Sequence, residues 1–324
     1  MDDATKDRPH LPVPSNLDEY RSLFHKEGTW RRAVRVIASR HGLAALPPRR
    51  VMEGTHIVTL LGATHAVKLF TPLFPRDAVV EAAAMQEVGG KLPVPTPEIV
   101  ATGELDGWDY IVMTQVSGCP IGKVWPDMMP SAKLRVAGGI GRLIAAQHAL
   151  PVNASTALER DWPRFFESQS ATAADRQRSN GLPEEIAGQI PGYLHRAEGG
   201  ARPPARPVLL HADITHEHIL LSESHGDWKI SGYLDFGDAF IGPRGYELPA
   251  PGLLIMRGEP EPLRALIEAS CAAAGESGPE LRRRLMAHTL LHRYADIEWI
   301  RHWIPGGGDA RDLGALAEVF WPVG

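Results

Sequence analysis

The sequence predicts an α+β protein in which a small antiparallel sheet precedes a mainly helical body. Three observations carry this expectation. Residues 51–70, VMEGTHIVTLLGATHAVKLF, hold short β-branched runs parted by the turn Gly62-Ala63, as paired strands do. Residues 131–150 place Leu134, Ala137, Ile140, Leu143, Ile144 and Leu150 near a 3.6-residue repeat, as a helix with one buried face does. Between these patterns lies SGCPIGK, residues 117–123, a turn-rich stretch suited to a hinge.

The elements follow in chain order. Leu17–Arg40 has a helical apolar stripe through Tyr20, Leu23, Phe24, Trp30, Val34 and Ile37, and HGLAALPPRR ends it. Strands are expected over Ile57–Leu61 and Ala66–Phe70, then a helix over Arg76–Val88 with Pro75 before it and Gly89-Gly90 after. A hairpin over Ile99–Gly103 and Tyr110–Val116 turns at Asp106-Gly107. Residues 161–200 read as two helices broken at SNGLPEE, with GGARPPARP after them. Val208–Leu210 is strand-like, and helices are expected over 261–271, 278–299 and 311–320. The chain thus divides into a flexible leader (1–19), a first lobe (20–116), the hinge (117–123) and a second lobe (124–324).

Composition narrows the function classes. The 324 residues carry 34 basic and 39 acidic side chains, a formal charge of −5, which argues against nucleic acid or an anionic membrane as partner. No apolar run approaches the ~18 residues that span a bilayer, and MDDATKDRPHLPVPS has no secretion-signal pattern. Cys119 and Cys271 form no metal or redox motif, so a reducing cytoplasm is the expected compartment, and a monomer or weak dimer the expected state.

Charge is unevenly spread. Residues 211–248 hold seven acids (Asp213, Glu217, Glu223, Asp227, Asp235, Asp238, Glu247) against Lys229 and Arg244. Ile219–Leu221 and Lys229–Leu234 are short strands around a turn at His225-Gly226-Asp227. Antiparallel pairing brings His211, Asp213 and His218, before the first strand, to Asp235, after the second. Two such carboxylates repel unless they share a proton or a cation. Mg²⁺ prefers carboxylate oxygen and binds substrate phosphates, so Asp235 suits metal and Asp213 suits a hydroxyl awaiting deprotonation. Lys68, between Val67 and Leu69 on its strand, is a phosphate-binding candidate, and Glu81 on the following helix is its candidate partner.

These motifs resemble the aminoglycoside phosphotransferase family, a branch of the two-lobed protein-kinase-like fold. HADITHEH resembles its catalytic loop, LDFGDA its metal-binding segment, VMEGTHIVTLLGATHAVKLF its covering loop with Gly54 and lysine strand, and YIVMTQVSG the strand beside adenine. WRRAVRV, LLHRYADIEWI and LGALAEVFWP resemble the hygromycin-B kinase group in particular. The resemblance implies Asp213 as catalytic aspartate braced by His211, Asp235 on Mg²⁺, and Lys68 with Glu81 on the phosphates. It also implies backbone groups of Gln115 and Val116 on the adenine edge, with Met113 behind it. ATP, or alternatively GTP, would be the donor, in a cleft between the lobes.

One departure stands out. Where the family usually has asparagine five residues after the catalytic aspartate, this chain has His218, a nitrogen donor that suits Mn²⁺ or Zn²⁺ better than Mg²⁺. His211, Asp213, His216 and His218 as a zinc hydrolase centre is a weaker reading, with His216 expected in solvent. Asp238, Asp296 and Glu298 are candidates for an acidic wall around a polycationic acceptor, and Tyr294 and Trp299 are expected in the core. The expectation is ATP-dependent O-phosphorylation of an aminoglycoside, hygromycin B among them, with antibiotic resistance as the result. The alternatives are a kinase for another hydroxylated metabolite and a weakly catalytic nucleotide-binding module.

Overall fold

The computed structural model describes residues 11–52, 54–152, 157–196, 206–272 and 278–323, which form two compact units. One comprises the chain to Gly89 with Thr96–Val116; the other comprises Gly90–Pro95 and the chain from Ser117. The part of the expected leader before Leu11 lies outside the described residues, as does GGARPPARP up to residue 205.

The first unit opens with two helices, α1 (Leu17–Phe24) and α2 (Glu27–Arg40), where the sequence pattern suggested one. The break has a physical cause. The Trp30 indole N–H donates to the carbonyls of both Leu23 and Phe24, which caps α1 from α2 and takes the acceptors a continuous helix would use. The sheet consists of β1 (Pro48–Val51), β2 (Ile57–Leu61), β3 (His65–Phe70), β4 (Ile99–Leu105) and β5 (Trp108–Thr114), all antiparallel in the order β1-β2-β3-β5-β4. Strand β1 was not expected, because Pro-Arg-Arg-Val shows no apolar alternation. Asp106-Gly107 makes the β4–β5 turn with both residues at positive φ, the geometry that matches strand twist. Helix α3 (Asp77–Val88) lies between β3 and β4 in the chain. The core joins Tyr20, Trp30, Val34 and Ile37 of the helices to Ile57, Val67, Leu69 and Trp108 of the sheet.

The second unit is built on α4 (Pro130–His148), α5 (Trp162–Ser179), α6 (Glu184–Ala187), α7 (Ile190–Arg196), α8 (Pro260–Ser270), α9 (Gly278–Leu291), α10 (Ile297–Trp303) and α11 (Leu313–Phe320). Its strands are β6 (Cys119–Pro120), β7 (Val208–Leu210), β8 (Ile219–Ser224), β9 (Asp227–Tyr233) and β10 (Phe240–Gly242), in the sheets β6-β8-β9 and β7-β10. Helix α4 packs closely on α8, and Gly141 permits it: a Cβ there would come within 2.5 Å of the Leu266 carbonyl oxygen. The helix expected over 278–299 is interrupted between α9 and α10. Asp296 starts α10 by accepting the Trp299 N–H, and His292 in the gap donates to the Ala212 carbonyl. Together these observations establish an α+β fold with an antiparallel-sheet unit and a mainly helical unit. Among the described residues no helix is long and apolar enough to cross a membrane.

Trp30 combines a buried indole with two capping hydrogen bonds. Trp30→Ala is expected to cost the first unit about 3–5 kcal/mol, read as a lower denaturant midpoint by tryptophan fluorescence.

Candidate active site

Lys68 lies on the central strand of the first unit's sheet, yet it is 4 % exposed, and Glu81 of α3 is 2 % exposed. Their ion pair, Nζ to Oε2, is 2.7 Å, and Nζ also sits 5.4 Å from the centre of the Phe70 ring. An exposed strand lysine is therefore excluded. Two long ionic side chains are held in one geometry inside a sheet-and-helix core, where either charge alone would be costly.

The hairpin of the second unit pairs Ile219 with Tyr233, and the Leu234 N–H donates to the His218 carbonyl beyond it. This ladder end brings His218 beside Leu234 and Asp235. The His218 imidazole lies between the two aspartates, Nδ1 3.5 Å from Asp213 Oδ2 and Nε2 3.7 Å from Asp235 Oδ2. Nδ1 is also 2.6 Å from the Asp213 carbonyl oxygen. A carbonyl only accepts, so Nδ1 carries the proton and Nε2 faces Asp235.

Asp213 and Asp235 are each held by unusual backbone. Ala212 (φ +66°) and Asp235 (φ +63°) occupy the left-handed region, which costs non-glycine residues about 1–3 kcal/mol each. His211 bridges the two segments, accepting the Asp213 N–H on Nδ1 and donating from Nε2 to the Leu234 carbonyl. The Asp235 carboxylate accepts the Gly237 N–H, which shapes the turn that follows.

Sequence reasoning counted Glu247 only as one acid among seven. In the structure its fully buried carboxylate organises the loop. Oε1 accepts the Ala212 N–H at 2.7 Å, and Oε2 takes the His211 N–H, Gln147 Nε2 and His148 Nε2. Burial pushes its pKa up, but the His148 hydrogen bond, the neighbouring imidazoles and the Ala212 N–H outweigh that and hold it below 4.5. No local pattern marks this role, because its partners lie 35 and 100 residues away.

A pocket of about 140 Å³ opens beside Asp213, lined by Ala250, Leu253, Leu254, Thr289, His292, Asp296 and neighbouring residues of the gap and α10. Two expectations change here. Tyr294 and Trp299 are 62 % and 48 % exposed and line this pocket instead of the core. Of the three acids expected to form a wall, only Asp296 reaches it. Asp238 accepts the Tyr294 hydroxyl and faces Arg293, and Glu298 pairs with Arg301 and faces His302. His216 packs half-buried against Gly122 instead of standing in solvent.

In the first unit, Gly54 precedes β2 at φ +92°. Met113 is buried on β5, and the Gln115 N–H donates to the Thr64 carbonyl, with Val116 next in the chain. Among the described residues no three His, Cys, Asp or Glu side chains converge as a metal cage, so the zinc reading finds no support there. A carboxylate oxygen of Asp235 beside an imidazole nitrogen nevertheless fits a divalent cation that takes its remaining ligands from phosphate and water.

The family model of the phosphotransferase enzyme family (APH) matches residues 57–288. The chain belongs to this family and is a small-molecule phosphotransferase. Solved structures with the same fold include the GDP complex of wild-type aminoglycoside 2'-phosphotransferase-IIIa, at 17 % identity and TM-score 0.64, over 90 % of this chain and 98 % of that one. The streptomycin–ATP ternary complex of APH(2")-IIa is similar at 14 % identity and TM-score 0.57, over 88 % and 97 %. Macrolide 2'-phosphotransferase MphH from Brachybacterium faecium is similar at 21 % identity and TM-score 0.51, over 85 % and 98 %.

Two predictions follow from this geometry. Lys68→Met strands the buried Glu81 charge and is expected to cost about 3–5 kcal/mol; adding Glu81→Met should recover much of it, as a double-mutant cycle in denaturant would show. Burial also lowers His288 to about 3 and His211 to about 4, from an ordinary 6.5. Between those values and pH 6.5 the unfolded chain takes up protons that the folded chain refuses. Stability is therefore full above pH 6.5 and falls as pH drops. Unfolding midpoints at pH 7 and 5 should show this loss, reduced in His288→Phe.

Proposed function

We propose that the enzyme transfers the γ-phosphoryl group of ATP to a hydroxyl of a small-molecule acceptor. The observation that carries this is that Asp213 and Asp235 flank the His218 imidazole while Asp213 also lines a pocket large enough for a ring. Asp213 orients the acceptor hydroxyl and takes its proton. The acceptor oxygen–phosphorus bond forms as the bond from phosphorus to the β,γ-bridging oxygen breaks, and ADP leaves with that electron pair. Lys68, fixed by Glu81, neutralises phosphate charge. His211 and Glu247 hold the loop and move no proton.

Asp235 and His218 Nε2 would hold Mg²⁺, or Mn²⁺ in its place. The cation supplies charge neutralisation at the phosphates. With the Gln115 N–H engaged by Thr64, an adenine edge would meet the Gln115 carbonyl and the Val116 N–H. GTP is the alternative donor. The free cysteines Cys119 and Cys271 suit a reducing cytoplasm.

Aminoglycosides are the first acceptors to test, hygromycin B among them for its motif resemblance, and resistance would be the consequence. A second reading, another hydroxylated molecule, is favoured by the pocket's apolar wall. The test is a panel of acceptors with Mg²⁺ or Mn²⁺, scored by acceptor-dependent ADP release and a product gain of about 80 Da, the mass of a transferred phosphoryl group. Asp213→Asn should lower kcat by ~10²–10⁴-fold while ATP still binds. Comparable turnover by this variant would remove Asp213 from the proposed role.

A further inference from the structure

The pocket beside Asp213 is walled by Leu253, Leu254, Ile300 and the exposed faces of Tyr294 and Trp299. Trp299 stacks on Trp303 with ring centres 5.1 Å apart, which stiffens it as a platform. Besides Asp213, Asp296 is the single carboxylate on the lining. Its Oδ1 caps α10, and among the described residues no basic side chain pairs with it. Of the other acids near it, Asp238 has Tyr294 and Arg293, and Glu298 has Arg301, while Glu247 is internal and Glu217 and Glu223 are exposed away from this lining.

We infer that the acceptor is an amphiphile: a hydroxylated molecule with a ring-sized apolar face and one ammonium group, not a polycation. This rests on the phosphotransfer reading above. The apolar face packs on Trp299, Leu253, Leu254 and Ile300, the ammonium meets Asp296, and the reacting hydroxyl meets Asp213. A polycation would bring several charges to a wall that offers one unmatched carboxylate beyond the catalytic one, and would pay desolvation for the rest.

The test titrates the whole protein by calorimetry with erythromycin, one amine on a large apolar ring, and with kanamycin, which carries several amines, then assays phosphate incorporation from labelled ATP. Erythromycin is expected to bind at least tenfold more tightly. Trp299→Ala should weaken it at least tenfold with ATP affinity unchanged, and Trp299→Phe should restore most of the loss. Asp296→Asn should weaken it severalfold; asparagine also caps helices, so α10 is retained. Equal or tighter kanamycin binding, no erythromycin binding, or no effect of Trp299→Ala overturns the inference. Efficient phosphorylation of kanamycin alone overturns it while the phosphotransfer reading stands. Erythromycin binding as described with no phosphate transferred to any acceptor does the reverse.

Discussion

The second unit's chemistry depends on one buried carboxylate. An ionised Glu247 with no water around it is tolerable only because four donors surround it, and two of these are backbone N–H groups of the loop it supports. Those two bonds hold Ala212 in a left-handed conformation that its side chain does not favour. His292 secures the same residue from the other side by donating to its carbonyl. From Ala212 the order passes along the chain to Asp213, across His211 to Leu234, and on to Asp235. Asp213 and Asp235 are therefore both anchored through a single internal charge.

What the sequence made legible was local. Lys68 and Glu81 stand 13 residues apart across one strand-to-helix step, and the aspartates flank one hairpin, so spacing and periodicity alone bring each pair together. The strands of the first unit were legible for the same reason, with β1 missed because arginines and a proline disguise it. Long-range features were not legible. The Glu247 carboxylate meets Gln147 across 100 residues, and the split between α9 and α10 is set by hydrogen bonds to the catalytic loop and to a cap, not by any loss of apolar periodicity. The separate tasks within the acidic cluster were hidden for the same reason. Counting charges along the chain cannot tell a carboxylate that faces solvent from one that holds a loop or pairs with Arg293.

Tyr294 and Trp299 show the converse error. Aromatic residues at helical spacing are usually core, and the pattern offers no sign that the chain bends at His292 and turns these rings outward. The bend that lets His292 reach Ala212 also opens the pocket and supplies its platform. One departure from helical continuity thus serves both the Ala212–Asp213 loop and the pocket wall beside it.

In the proposed reaction this coupling bears on how Asp213 would work as a base. Its side chain borders a pocket whose lining is mostly hydrocarbon and aromatic ring. An apolar acceptor face that fills this space displaces water from around the carboxylate, and charge interactions strengthen as the local dielectric falls. A polar, well-hydrated acceptor would carry water in with it and leave the carboxylate solvated. The composition of the pocket wall therefore does more than select what binds. In the proposed reaction it would also set how strongly Asp213 draws the proton of a hydroxyl placed against it, so that acceptor preference and catalytic power would arise from the same residues.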